Sequence, residues 1–206
     1  MSDLADPGRT AQTLQSRRRV DIAAVEDLYR KMLEALGEDP DREGLQDTPR
    51  RVAAWWREFL DFGAGRCDTV FAHTTMTEGH QQVTVAGIVA WSLCEHHLLP
   101  FRVEFSCGYV PNETVVGLSK IVRIVQAHAH RLQLQERLTR QIATSLAEVT
   151  GSRDVGVWGR GEHLCMSMRG VQAQAARTDT NCLLGRLSTD PVLAAHLAPS
   201  VCREHR

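Results

Sequence analysis

An α+β domain is what this sequence predicts, and three observations predict it. Apolar residues recur with helical spacing between Val20 and Leu60 and again between Ser119 and Val149, while a period of two runs through residues 83–110 and returns after Asp154. The elements fall into blocks, in the order helix, helix, strand, strand, long helix, strand, strand, without the strict strand–helix alternation that builds a parallel sheet. At 206 residues the chain is long enough for one domain with short appendages.

Residues 1–19 are polar, hold Pro7 and Gly8 and end in Arg17-Arg18-Arg19, which reads as a flexible arm with a solvated basic end. From Val20 the spacing of Val25, Leu28, Met32, Leu33 and Leu36 predicts a helix that Gly37 stops. Thr48-Pro49 supplies an N-cap and a first helical residue for a second helix carrying Val52, Trp55, Trp56, Phe59 and Leu60. Residues 64–80 read as loop. Val83, Val85, Val89 and Trp91 then alternate with Thr84, Ala86, Ala90 and Ser92, predicting a strand with the valines and Trp91 on its apolar face. A second strand, 101–110, sets Phe101, Val103, Phe105 and Tyr109 against Arg102, Glu104 and Ser106. Ser119–Val149 reads as helix interrupted near 131–135 and closed by Gly151. Asp154–Arg160 and Glu162–Val171 read as two strands joined through Gly159 and Gly161 like a hairpin, and the tail after Thr189 as weakly helical. The domain division is an arm (1–19), a helical segment (20–66), the main α+β domain (67–190) and a tail (191–206).

Composition narrows the function. The chain is 43% hydrophobic and 24% charged, which excludes wholesale disorder. Its 24 basic residues against 25 acidic ones argue against a partner that is nucleic acid or anionic membrane. No apolar run reaches the ~20 residues that span a bilayer, and no secretory signal is visible, so the expected address is cytoplasmic. In that compartment the cysteines at 67, 94, 107, 165, 182 and 202 read as thiols or metal ligands rather than disulfides, and nine histidines strengthen the case for a metal.

Three places concentrate chemistry. Cys94-Glu95-His96-His97 follows the first strand, and a cysteine and a histidine three apart on a turn can reach one ion. The pair needs a third donor; alternation along Glu162–Gly170 predicts His163, Cys165, Ser167 and Arg169 on one strand face, opposite Leu164, Met166 and Met168. In Gly117–Arg123, Ser119 caps a helix whose first turn carries Lys120 and Arg123. Cations there oppose the helix dipole unless an anion binds, so the alternatives are a phosphate seat or two solvated side chains. Glu136, at the start of the next helical stretch, suits the dipole on structural grounds alone.

Together these residues resemble the GTP cyclohydrolase I family. The resemblance rests on Cys94-Glu95-His96-His97, on Gly117-Leu118-Ser119-Lys120 with Arg123, on Gln133 with Gln135-Glu136-Arg137-Leu138-Thr139, and on His163-Leu164-Cys165-Met166 with Arg169-Gly170-Val171. Arg42-Glu43-Gly44-Leu45, Thr48-Pro49 and Arg51-Val52-Ala53 look like the family's N-terminal signature, and the likeness spans residues 25–187 in order.

The resemblance implies the tunnelling fold (T-fold): an antiparallel sheet with helices on one side, its barrel completed by oligomerisation, usually into a decamer of two pentamers with active sites between subunits. It implies Zn2+ held by Cys94, His97 and Cys165, with His163 protonating N7 of guanine and His96 shuttling protons. Gln135 and Glu136 would hold the guanine edge and Ser119 the ribose. Lys120, Arg123 and Arg169 would hold the triphosphate, with Arg51 supplied by a neighbouring subunit. The implied reaction opens GTP at C8, releases formate and yields 7,8-dihydroneopterin triphosphate for pterin, tetrahydrofolate or 7-deazapurine-type biosynthesis, without a redox cofactor. Two alternatives stand beside it: a relative that stops at a formamidopyrimidine or takes another guanine nucleotide, and a non-catalytic zinc- or pterin-binding regulator whose metal site is closed by Cys107 or His163. Departures at Gly87-Ile88, Val103-Glu104, Asn181 and Leu187 mark a divergent member.

Overall fold

A computed structural model describes residues 19–65, 67, 70–72, 81–112 and 114–198. The basic end of the arm at Arg17-Arg18, residues 73–80 of the expected loop and Cys202 lie outside the described residues. The described chain divides at Gly63/Ala64 into two compact units.

The first unit is a helical pair. Helix α1 is Ile22–Ala35, with the Asp21 carboxylate accepting from the backbone N–H of Ala24 at 3.0 Å. Gly37 follows at φ +81°, as its stop signal requires. Helix α2 is Thr48–Leu60; its N-cap is Asp47, so Thr48 and Pro49 each sit one position further into the helix than the sequence predicts. Trp56 Nε1 donates to the Tyr29 hydroxyl at 2.8 Å, and Trp55 lies against Trp56 and Phe59. Leu28, Met32 and Leu36 are exposed in the single chain, so the apolar stripe of α1 is not core here.

The second unit is a mixed sheet with helices. Its strands are β1 (Val70–Ala72), β2 (Val83–Cys94), β3 (Pro100–Tyr109), β4 (Thr114–Val116), β5 (Leu132–Gln133), β6 (Val155–His163) and β7 (Thr178–Leu183). The helices are α3 (Leu118–Ala129), α4 (Gln135–Thr150), α5 (Leu164–Ser167) and α6 (Pro191–Ala195), with a short 3-10 turn at Gly185–Ser188. Five strands pair in the order β5-β2-β3-β6-β7, antiparallel except for β5 on β2, and β1 pairs separately with β4. The core is formed by Phe101, Val103, Phe105 and Tyr109 of β3 with Ile121, Ile124, Leu138, Ile142 and Leu146 of α3 and α4. This α+β arrangement is consistent with the T-fold.

Several sequence expectations are corrected. Pairing of β2 with β3 slips between Val85 and Ile88, two residues facing one, with Gly87 at φ +73°. That bulge reverses the strand's faces, so Ile88, Ala90 and Ser92 are buried while Val89 and Trp91 face out. Residues 154–171 are not a hairpin: β6 runs straight through Gly159 and Gly161, where a Cβ would come within 2.6 Å of the Phe105 ring and 2.0 Å of Gln135 Oε1. Cys165 consequently lies on α5 rather than on a strand face with His163. Finally, β1 and β7 occupy stretches without a clean alternation, and Gly117, not Ser119, is the N-cap of α3.

Candidate functional site

Cys94 ends β2, where its backbone is pinned on both sides. Its Cα partner is Gln133 of β5, and its N–H donates to Leu99 O at 2.9 Å across the next loop. The same loop returns His97 N–H and Leu98 N–H to Cys94 O at 3.3 and 2.8 Å, and it sets Leu98 at φ +56°, a conformation leucine rarely adopts. The tight turn brings His97 Nδ1 to 3.7 Å from Cys94 Sγ. Cys165 reaches the pair from α5, and the three ligand atoms all lie within 4.8 Å of one another.

This donor set fits a divalent metal. Thiolate and imidazole at tetrahedral zinc, with bonds of ~2.0–2.3 Å, stand about 3.6 Å apart. Burial pushes the Cys165 thiol up, the neighbouring Cys94 thiol adds to the push, and Arg169 opposes it. Two thiols side by side repel as anions, and a cation between them reverses that repulsion. Neither Cys107 nor His163 belongs to the group. Cys107 is fully buried on β3, its thiol pushed up to about 12 by burial.

His163, the last residue of β6, faces Phe101 across the β3–β6 ladder, with ring centroids 4.6 Å apart and planes within 7°. Its Nε2 lies 2.8 Å from Gln135 Oε1. Burial holds its pKa below the ordinary histidine value, while nearby Glu136 pushes the other way. Gln135, the first residue of α4, is only 1% exposed, and its amide is engaged with Gly159, Thr178 and Thr180. Glu136, beside it, is exposed.

His96 is exposed, its ring 6.1 Å from that of His97. Ser119 and Lys120 occupy the first turn of α3, and Arg123, one turn on, donates from Nη1 to Ala64 O at 3.0 Å. Arg169 is exposed after α5. Arg51 lies on α2 in the helical unit, paired with Asp47 at 3.1 Å.

Sequence reasoning also missed what ties down the 94–97 loop. Arg137 grips the Glu95 carboxylate with both terminal nitrogens while its Nε donates to Gln133 Oε1 at 2.9 Å, tying the 94–97 loop to α4. The hydrogen bond from Arg137 holds Glu95 below the usual carboxylate range. Both residues sit inside the motifs, but opposite charges 42 positions apart carry no sequence signal of contact.

The GTP cyclohydrolase I family description matches residues 25–201. The chain is 50% identical over 153 residues to GTP cyclohydrolase 1 of Hyperthermus butylicus, covering 74% of this chain and 77% of that one. It is 42% identical over 178 residues to the protein of the same name from Deinococcus radiodurans, covering 86% and 82%. With that from Alkalilimnicola ehrlichii it shares 46% over 169 residues, covering 81% and 91%.

Proposed function

Because the chain belongs to the GTP cyclohydrolase I family, we propose that it hydrolyses GTP at C8 of guanine, releases formate and closes the product to 7,8-dihydroneopterin triphosphate. The observation that carries this reading is the group of three donors, Cys94, His97 and Cys165, with an imidazole two residues before the third. Three protein ligands are the catalytic pattern for zinc, whereas structural sites use four. Cys94, His97 and Cys165 would hold the zinc, which would supply Lewis-acid chemistry of the kind that lowers the pKa of a water towards neutral.

The chain's own groups bind and move protons. His163 serves N7, and protonation there makes C8 electron-poor. Exposed His96 shuttles protons in ring opening and the later sugar rearrangement. The Glu136 carboxylate accepts from N1–H and the N2 amino group, a pairing adenine does not offer. Ser119 contacts the ribose. Lys120, Arg123 and Arg169, with Arg51 from a neighbouring subunit, hold the triphosphate by charge-assisted hydrogen bonds. The catalytic domain is residues 67–190, and the address is cytoplasmic; among the described residues no helix is long and apolar enough to cross a membrane. Completion of the barrel by a decamer of two pentamers belongs to the same reading.

The test is purified, zinc-loaded protein with GTP, following formate and pterin absorbance together. Equal formate and pterin are expected. Ring opening without a pterin points instead to an enzyme that stops at a formamidopyrimidine, and no consumption of GTP overturns the reading.

A further inference from the structure

The hydrogen bonds around Gln135 have only one consistent direction. Gln135 Nε2 lies 3.1 Å from Gly159 O and 2.8 Å from Thr178 O. Backbone carbonyls have no hydrogen to give, so that end of the amide is the NH2 group and the opposite end is the oxygen. The threonines agree. Thr139 Oγ1 donates to Gln135 O at 2.9 Å, which uses its one hydrogen. The 2.7 Å contact between Thr139 and Thr180 hydroxyls therefore runs from Thr180 to Thr139. Thr180 Oγ1 is left as an acceptor 3.0 Å from Gln135 Nε2, whose two hydrogens are shared among it, Gly159 O and Thr178 O. Amide orientation is thus set twice, by the carbonyls and by the hydroxyl chain.

Gln135 Oε1 is an acceptor only, and the atom 2.8 Å from it is His163 Nε2. That nitrogen must carry the hydrogen. The Phe101 ring beneath the imidazole limits its tilt. Gly161 leaves the space the amide fills, since a Cβ there would stand 2.0 Å from Oε1.

We infer that Gln135 is a positioning residue for His163 rather than a contact to the base, fixing the ring with Nε2 as donor to the amide so that Nδ1 is the nitrogen that exchanges a proton with the substrate. This rests on the catalytic role proposed for His163. A buried amide with every hydrogen spoken for has no donor left for a purine, and a histidine anchored through one nitrogen offers only the other.

Magic-angle-spinning 15N spectra of histidine-labelled, zinc-loaded protein at about pH 8, where a histidine of ordinary pKa is neutral, test the assignment without any substitution at Gln135. The His163 signal is identified by its loss in His163→Asn. A hydrogen on Nε2 and a bare Nδ1 are expected; a hydrogen on Nδ1 overturns the inference. Kinetics of Gln135→Met, similar in length but unable to accept or donate as the amide does, give an independent readout. Loss of orientation predicts kcat down by about 100-fold with KM for GTP within about threefold. A raised KM with kcat preserved overturns the inference in favour of a base contact. Absence of formate release by the wild-type protein sinks the catalytic reading instead, and the tautomer measurement is unaffected by it.

Discussion

At the scale of single residues, the cysteines separate by environment. Cys94 and Cys165 face each other with His97 within 4.8 Å, whereas Cys107 is sealed in the core with its thiol pushed up to about 12. A three-ligand site has no redundancy, so Cys165→Ser is expected to lower bound zinc from about one per chain to a small fraction of that, read by elemental analysis after dialysis. His163→Ala lies outside the donor group and should keep its zinc while losing ring opening; a fully active variant removes His163 as proton donor. Reactivity follows the same division, because Cys165 is only half-buried and within reach of a reagent whereas Cys107 is wholly buried. With a chelator present, iodoacetamide at mildly alkaline pH should label Cys165 and leave Cys107 unmodified until the protein is unfolded. Peptide mass mapping reads both, and labelling of Cys107 in the folded protein contradicts its burial. That Cys94, His97 and Cys165 come together was legible in the sequence. The direction of Gln135 was not, since an amide in a string of letters does not say which buried carbonyls it will meet.

At the scale of elements, what was legible depended on length and regularity. Helices α1 to α4 and strands β2 and β3 each hold a period over ten or more residues, and the sequence places all six within a few positions. Strands of two or three residues, β1, β4 and β5, hold too few side chains to establish a period. The glycines misled in two physical ways. Gly87 takes a left-handed conformation and inserts one residue into β2, which exchanges the faces of everything after it. Gly159 and Gly161 look like a turn but are extended, and are glycine because Phe105 and Gln135 occupy the space where a Cβ would be. The two kinds respond differently to alanine. At Gly87 no atom lies within 4 Å of an added Cβ, so Gly87→Ala carries only backbone strain, about 1–2 kcal/mol. At Gly161 the obstacle is a buried, fully hydrogen-bonded amide, so Gly161→Ala should cost about 1–3 kcal/mol and also reduce turnover by displacing Gln135 from His163. Urea midpoints with kcat compare the pair, and an active Gly161→Ala protein of unchanged midpoint contradicts the packing.

At the scale of the whole molecule, a single chain leaves Val89 and Trp91 on the outward face of β2, Trp91 at 50% exposure, together with Leu118 and Val171. Such surface is what the proposed assembly would cover. The α+β class was legible from the order of elements, while the proposed closure of a barrel by other copies is something no one chain's periodicity would contain. What the chain does contain is a pH dependence of its own stability. Two carboxylates fasten β6 to β7 and to the 3-10 turn beyond it. Asp154, just before β6, accepts from Arg186 N at 2.8 Å and Nε at 2.7 Å, and Asp179 on β7 accepts from Arg160 Nε and Nη2, each at 2.8 Å. Burial alone would raise the Asp154 pKa, but the hydrogen bonds and charge of Arg186 outweigh it and the value is lowered. For Asp179 the hydrogen bond from Arg160 leads and the shift is also downward. A carboxylate whose folded pKa is depressed binds its proton less readily when folded than when unfolded. Its contribution is therefore complete above the unfolded value of ~3.9 and is lost as pH falls from there through the folded pKa. Solvent reaches Arg186, so the Asp154 contribution is about 1 kcal/mol. Asp154→Asn should be less stable than wild type by about that amount at neutral pH, and the difference should shrink as the medium is acidified below ~3.9. Urea midpoints of the two proteins across that range decide it: a gap that stays constant in acid assigns the loss to packing and removes the charge pair as its cause.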